Sequence, residues 1–393
     1  MTEERLKLTN EQQVAFDEII NFYDTFNSIV KPYWIVTGVA GTGKTTLLSN
    51  IIEFLTEYDI LNESKEDDRK VAVITLTWKA SIILHSKGVP QAQSIHSFLY
   101  CSEWNELAKE FTYTKKDAKE LQSKFKLIIV DEASMASEEI KKDLEALEIP
   151  IVYVGDPFQL GPVTNNKNEV SFLSNPDSKL TTILRQALEN PIIEMSMNIR
   201  ENPNFKFTPG TYKKKIHIEK VHNINVKWLI WADQILCGTN KTRIEKNTLT
   251  RRIQGKDVTK LPDKGEKLIA LNNLKTEKIY NGTILFADDS YHKNDLNDRK
   301  HFMDIKLEDN RTFKMKTVFA DMVKDNQDLK MMSADKKLLQ IAFGSVITCH
   351  KAQGGQWDKL MIFNEPIGSD NTEKRRWMYT AITRAINQCI ILI

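Results

Sequence analysis

Short, nearly continuous apolar runs mark the N-terminal half of the chain, each followed by a polar or glycine-rich turn: 34–38 (WIVTG), 71–77 (VAVITLT), 127–132 (LIIVDE) and 151–156 (IVYVGD). Runs that are apolar at every position, rather than every second one, predict strands covered on both faces, as in a parallel sheet. Helix-length stretches separate them, and 45–58 (TTLLSNIIEFLTEY) repeats its apolar residues at spacings of three and four. Buried strands alternating with such helices predict a doubly wound α/β domain. A second set, 235–239 (ILCGT), 345–350 (SVITCH), 359–363 (KLMIF) and 389–393 (CIILI), predicts another α/β domain. From about 261 to 340 the pattern alternates with period two and breaks at NG and DN turns, which predicts a small antiparallel β module inserted in the second domain. A shorter charged stretch, 100–124, interrupts the first domain as a hairpin or helical insertion. The expected division is residues 1–190 and 191–393, the second interrupted at about 261–340.

Composition changes this picture little. The chain has 393 residues, 41% apolar and 27% charged, which excludes a largely disordered or fibrous protein and provides for two or three buried cores. No apolar run is long enough to cross a bilayer, and the first residues are too polar for a signal peptide, so no membrane partner and a cytoplasmic location are expected. The four cysteines, Cys101, Cys237, Cys349 and Cys389, lack metal-ligand spacing and read as small semi-buried hydrophobes in a reducing compartment. Net charge is only +2, yet residues 1–196 carry 20 basic against 30 acidic side chains and the remainder 35 against 23. A polyanion should therefore prefer the C-terminal half, with Lys213 to Lys215, Arg251 and Arg252 as candidate phosphate contacts.

The candidate chemistry begins at residues 38–45, GVAGTGKT, a complete G-x-x-x-x-G-K-T loop between a predicted strand and a predicted helix. Glycines Gly38, Gly41 and Gly43 let backbone N–H groups approach phosphate oxygens, with Thr42 and Thr46 in the same cradle; the helix N-terminus adds a favourable dipole. Lys44 is expected on the β- and γ-phosphates of ATP, and Thr45 on Mg²⁺. Asp131 and Glu132 close a later strand, where Asp131 suits the Mg²⁺-holding acid and Glu132 the base that orients the attacking water. Gln159 follows the next strand, where a neutral amide could sense the γ-phosphate or water.

Nine segments then form an ordered series: LTNEQQVAF (8–16), GVAGTGKT, TLTWKA (75–80), SIHSF (94–98), DEASM (131–135), GDPFQLGPV (155–163), LTTILRQ (180–186), ITCHKAQGGQWD (347–358) and YTAITRA (379–385). In this order they resemble superfamily 1B DNA helicases of the RecD-like and phage Dda-like group, over nearly the whole chain. The resemblance implies two RecA-like motor domains of P-loop NTPase type, a small pin-type insertion in the first and an SH3-like β insertion in the second. ATP is then bound between the domains, and single-stranded DNA crosses both. It assigns Gln12 to the adenine edge, Gly354 to the nucleotide, and Arg185 and Arg384 to the two arginine fingers. It assigns Thr77, Trp78, Ser94, His96, Pro162, Asn240, Thr348, His350 and Lys351 to DNA, on loops expected at the edge opposite the nucleotide. The chain departs from the family pattern at Gln356, where many relatives carry a glutamate, so no sugar contact is assigned there. Ser94 stands in for a common threonine and keeps the hydroxyl. Trp104, Phe111 and Tyr113 are the candidate strand-separating wedges.

The expected function is an Mg²⁺-dependent, ATP-driven helicase that moves 5′ to 3′ on single strands and opens forked or tailed duplexes as a monomer. A replication or recombination role, with proteins of those processes as partners, follows from the phage-like resemblance, and the host cytoplasm would be its location if phage-encoded. An alternative keeps every ATP residue: a nucleic-acid-binding ATP switch that remodels a partner without unwinding. A nucleotide kinase would leave the second α/β domain and the two arginine motifs unexplained.

Overall fold

The computed structural model describes residues 7–61, 70–86, 89, 91–105, 110–162, 172–184, 189–258, 260–274, 277–291, 300–320 and 338–393. The chain forms two compact units, residues 1–102 with 113–200, and residues 103–112 with 201–393. In the first unit β1 (Tyr33–Gly38), β2 (Lys70–Thr75), β3 (Gln93–Ser94), β6 (Phe125–Asp131), β7 (Ile151–Gly155) and β8 (Ser178–Leu180) form a sheet in the order β3-β2-β6-β7-β1-β8. Every pairing in it is parallel.

The continuous apolar runs are explained by what lies on each face. Val71, Val73, Leu127, Ile129, Val152 and Val154 pack on one side against α1 (Asn10–Asp24) and α2 (Lys44–Leu61). Their neighbours Ala72, Ile74, Ile128, Val130, Ile151 and Tyr153 pack on the other, against Phe98, Leu121 and Leu144. Each buried Val, Leu or Ile contributes about 1.5–3 kcal/mol, so both faces of every central strand are committed. Register is thereby fixed, and so is the edge at which each strand ends.

The insertion after this sheet's third strand is a two-stranded hairpin, β4 (Tyr100–Asn105) and β5 (Glu110–Lys115), followed by the helix Ala118–Lys124. Asp143 clamps the hairpin's base, accepting from the Tyr100 hydroxyl at 2.5 Å and the Lys115 ammonium at 2.6 Å. Burial alone would raise the Asp143 carboxyl, but these two donors outweigh it and hold it below the usual range.

The second unit repeats the plan. Strands β9 (Gly210–Tyr212), β10 (Ile216–Glu219), β11 (Gln234–Cys237), β17 (Val346–Thr348), β18 (Trp357–Phe363) and β19 (Ala385–Leu392) run in the order β17-β11-β18-β19-β10-β9. All pairs are parallel except β9 with β10. Inserted between β11 and β17 is a closed five-stranded barrel: β12 (Lys267–Ala270), β13 (Ile284–Tyr291), β14 (Lys300–Leu307), β15 (Thr312–Ala320) and β16 (Leu339–Phe343). Its own core includes Leu268, Met303, Ile305 and Ile341, compatible with the SH3-like module expected. A Cβ on Gly344 would lie 2.8 Å from the Leu268 carbonyl, so only glycine lets the chain leave the barrel toward β17 this closely. Of the cysteines, Cys237, Cys349 and Cys389 are core residues as expected, while Cys101 is exposed.

One expectation from charge is overturned. Arg251 is not a surface phosphate contact: it is 3% exposed, and it joins the helix Asn240–Ile253 to the barrel. Its guanidinium makes a bidentate pair with Glu266 at 2.9 and 3.1 Å, donates to the carbonyls of Lys260 and Leu261, and lies 4.4 Å from the Phe343 ring centroid. A basic pair at a helix end reads alike in sequence whether one member points inward or both face solvent. Removing Arg251 takes the bidentate partner from buried Glu266 and leaves it Lys256 at 3.5 Å and the Asp263 N–H at 2.6 Å, so Arg251→Ala should cost about 3 kcal/mol in urea unfolding, the low end for breaking a buried pair. Arg252→Ala, facing partly to solvent, should change stability by less than about 1 kcal/mol.

Candidate nucleotide site and nucleic-acid contacts

The loop after β1 turns on two glycines in the left-handed region, Gly41 at φ 86° and Gly43 at φ 78°. A Cβ on Gly43 would come within 2.3 Å of the Gln12 amide nitrogen, so an uninterrupted glycine backbone is required here. Because α2 begins at Lys44, the N–H groups of Lys44, Thr45 and Thr46 belong to its first turn and have no partner within the helix. Lys44 curls back over the loop, donating to the carbonyls of Gly38 at 2.7 Å and Val39 at 3.2 Å, while the Thr42 hydroxyl donates to Val39 at 2.9 Å. The loop is thus a curled cradle with an ammonium across it and free helix donors beneath, which fits a phosphate chain.

Two adjacent residues of α1 hold this cradle. Gln12, expected at an adenine edge, is 2% exposed and fully engaged with protein. Its amide oxygen accepts from Thr9 N at 2.8 Å, completing a capping box, and its amide nitrogen donates to the Thr42 and Gly43 carbonyls at 3.1 and 3.2 Å. Glu11, which sequence reasoning missed, accepts from the Thr181 and Thr182 N–H groups at 2.8 Å each and from the Thr181 hydroxyl at 2.6 Å. The Thr181 side chain, then the Thr182 backbone, hold the Glu11 carboxyl down to about 2. Leu184 N in turn donates to the Gly41 carbonyl at 3.0 Å. Segment 181–184 is therefore tied to both α1 and the phosphate loop. Arg185, the expected finger that follows it, lies outside the described residues.

The two acids sit on the same edge of the sheet. The order β6-β7-β1 separates their strand from the phosphate loop's strand by β7, a distance of two strand spacings or roughly 10 Å. Asp131 ends β6 and accepts from Glu132 N at 2.9 Å. Glu132 has φ 54° and ψ 38°, a left-handed conformation that costs a non-glycine residue about 1–2 kcal/mol and is concentrated at functional sites. Gly155 permits this turn, since a Cβ there would sit 2.7 Å from Leu173 and 3.1 Å from Ser134 N. Beyond it Asp156 is fully buried and organises the next loop, accepting from Phe158 N at 3.0 Å on its side chain and from Gln159 N at 3.1 Å on its carbonyl. Gln159 is 6% exposed at this loop. No group of three or more His, Cys, Asp or Glu among the described residues could hold a metal alone. Thr45 and Asp131 do supply hard oxygen donors of the kind Mg²⁺ takes beside phosphate oxygens.

In the second unit Arg384 follows the helix Asn371–Ile382 and is 4% exposed, its guanidinium donating to the Thr380 carbonyl at 3.1 Å and the Thr383 hydroxyl at 3.2 Å. Gly354 is buried with φ 75°.

The nucleic-acid candidates are not on the opposite edge. Parallel pairing puts Thr77 after the carboxyl end of β2 and Ser94 at the carboxyl end of β3, the same edge as the phosphate loop but its far corner. Thr77 accepts from Ala80 N at 3.2 Å, and Ser94 caps the short helix Ile95–Leu99 by accepting from Ser97 N at 3.3 Å. His96 is exposed, its ring 5.9 Å from that of Tyr100. Pro162 is half-buried on the loop beyond β7. The side chains of Trp78, Trp104 and Phe111 lie outside the described residues, and Tyr113 is 56% exposed. In the second unit Asn240, Thr348, His350 and Lys351 gather at the carboxyl ends of β11 and β17, again the outermost pair at one side of the sheet. Burial lowers the pKa of His350, and burial and then Arg243 lower that of Lys351, whose ammonium contacts Asn281. Beside them Glu365, another residue sequence reasoning missed, accepts from Gly238 N at 2.9 Å, Thr239 N at 3.2 Å and the Thr242 hydroxyl at 2.8 Å. It fills the helix N-terminus where Asn240 was expected to meet phosphate.

Two family models match this chain. An AAA domain covers residues 7–222, more than half of it. The chain belongs to that AAA-domain family. A UvrD-like helicase C-terminal domain follows at residues 343–392. The chain is 23% identical over 378 residues to the ATP-dependent RecD2 DNA helicase of Deinococcus radiodurans, covering 89% of this chain and 45% of that protein. It is 28% identical over 265 residues to the ATP-dependent DNA helicase Dda of phage T4, covering 62% and 57%. The chain thus spans about half the length of these curated relatives. A solved structure of Pif1 helicase from Bacteroides in complex with ADP-AlF3 and single-stranded DNA superposes with a TM-score of 0.53 at 20% identity, over 98% of this chain and 92% of that one. The superfamily 1B resemblance and the α/β fold class are borne out.

Removing the Gln12 amide takes a partner from the Thr42 carbonyl and the Thr9 N–H and leaves the Gly43 carbonyl with Leu47 N alone, so Gln12→Ala should lose about 1–3 kcal/mol in thermal unfolding and weaken binding of a fluorescent ATP analogue. The Glu11 contribution should follow the sign of its depressed pKa. It is fully present above the ordinary carboxyl value of 4.5 and lost as pH falls toward about 2. Acid titration should therefore show the stability gap between wild type and Glu11→Gln closing across that window.

Proposed function

We propose that the chain is an ATP-driven motor that moves along single-stranded DNA, 5′ to 3′, and separates duplex strands. The observation that carries this reading is the sheet edge of the first unit, where a clamped phosphate cradle, two acids and a corner of nucleic-acid candidates are held by one set of parallel strands. RecD2 and Dda are ATP-dependent DNA helicases, and Pif1 binds single-stranded DNA, which supports the same activity here.

On this reading Lys44 exchanges its two loop carbonyls for β- and γ-phosphate oxygens, and the first-turn N–H groups of α2 hold the remaining phosphate oxygens. Thr45 and Asp131 hold Mg²⁺, which when bound neutralises charge on the phosphates. Glu132, fixed by its left-handed backbone, accepts the proton of the attacking water, and Gln159 orients that water. Arg185 reaches the γ-phosphate from the segment that Glu11 and Gly41 anchor, and Arg384 is the second finger, exchanging its bonds to Thr380 and Thr383 for transition-state oxygens. Thr77, Trp78, Ser94, His96 and Pro162 of one unit and Asn240, Thr348, His350 and Lys351 of the other contact the DNA backbone, so that alternation of grip moves the strand. Burial disfavours the charged form of His350 and so favours a neutral hydrogen-bonding ring. The β4–β5 hairpin, anchored through Asp143, supplies the wedge, and the protein acts as a monomer at forks or tails in replication or recombination.

Glu132→Gln should lower DNA-stimulated ATPase activity by about 10²- to 10⁴-fold without loss of fold. Lys44→Ala should abolish it. Strand release from fluorescent forks bearing either a 5′ or a 3′ tail decides the rest. Release from the 5′-tailed fork alone is expected. Release from the 3′-tailed fork alone would reverse the polarity, and binding with ATP turnover but no release would favour a remodelling switch.

A further inference from the structure

The lysines at 213–215 take no part in the site described above. They form the turn between β9 and β10, closed by Lys215 N donating to the Tyr212 carbonyl at 3.0 Å, with Lys213 at φ 46° and Lys214 at φ 58°. Turns with two left-handed central residues are normally built from Asn and Gly, so a lysine pair is held here against its backbone preference. Beside the turn opens a cavity of about 500 Å³, within the range of small-ligand sites. It lies at the amino end of β10, whereas Asn240 and Thr348 lie at the carboxyl ends of β11 and β17 across the same sheet.

Its walls combine two kinds of group. Trp228, Trp231 and His217 line it, with His217 edge-on to Trp228 at 5.1 Å and its Nδ1 within 2.9 Å of the Thr211 hydroxyl. Lys214, Lys215 and Lys227 line it too, and no Asp or Glu is among the lining residues. Aromatic faces take a base without regard to its identity, and cations with no carboxylate beside them favour phosphate oxygens. We propose that this cavity is a second nucleotide-binding site, taking an unstacked base together with its phosphate. The nucleotide belongs either to a nucleic-acid strand passing the unit or to a free mononucleotide. The cavity is built from the second unit alone, and its occupation does not depend on ATP hydrolysis in the first.

Photo-crosslinking of the full chain tests this with two probes, a single-stranded oligonucleotide containing 5-iododeoxyuridine and the mononucleotide 5-iodo-dUMP, with adducts mapped by mass spectrometry. An adduct on Trp228 or Trp231 is expected. In the double variant Lys214→Glu with Lys227→Glu its yield should fall on the order of tenfold, as two phosphate contacts become repulsive. Both lysines are exposed, and an unchanged thermal unfolding curve verifies that the variant is folded. Labelling by the oligonucleotide alone assigns the site to a strand, and labelling by the mononucleotide assigns it to a free nucleotide. No adduct at either tryptophan with either probe, or an undiminished yield in the folded double variant, overturns the proposal. The same labelling should persist in Lys44→Ala, so failure of the ATPase reading and failure of this one remain distinguishable.

Discussion

Burial of both faces of a parallel sheet is the constraint on which the rest depends. Once residues such as Ile128 and Ile129 are packed into opposite cores, a strand can neither slip by one residue nor reverse without exposing a whole apolar set. All six strands of the first unit's parallel sheet therefore run toward one edge, and the loops that follow the central strands stand there too. The cradle after β1, the acids after β6, the buried Asp156 after β7 and the hydroxyls after β2 and β3 share that edge for a packing reason.

The loops at that edge are not rigid by themselves; they are held by polar side chains that spend their hydrogen bonds on backbone. Gln12 and Glu11 do this from one helical turn, the first on the cradle and the second on the strand exit that precedes Arg185. Glu365 does it in the second unit for the helix that opens at Asn240, while Asp143 holds the hairpin base through two side chains, the Tyr100 hydroxyl and the Lys115 ammonium. Such groups are held by several donors each, and a carboxylate in that position is both desolvated and compensated. The site is thus built from residues that carry no phosphate chemistry as much as from those that do.

The charge asymmetry of the chain has two origins. Arg251 spends its charge inside the protein on Glu266, while Lys214 and Lys227 leave theirs at a solvent-facing aromatic cavity. A count of basic residues treats these alike. Only the direction of each side chain separates a cation that staples a barrel to a helix from one available to a polyanion.

Much of the architecture was legible in sequence because its signals are local. Continuous apolar runs announced the central strands, alternation announced the barrel, and the spacing GVAGTGKT announced the cradle, since each requires a particular residue at a particular place. The strand order, the role of Gln12 as a backbone clamp, the Glu11 and Glu365 contacts and the burial of Arg251 and Arg384 were decided only by tertiary structure. The carboxylate and amide contacts join residues far apart in the chain, Glu11 to Thr181 or Gly238 to Glu365, and no local pattern records which distant donor a carboxylate will meet; Arg384 bonds within its own segment, but its burial depends on what packs around it. For the same reason the edge on which Thr77 and Ser94 lie followed from parallel pairing and not from their motifs. A motif fixes the residues of a loop, whereas the sheet fixes where that loop stands.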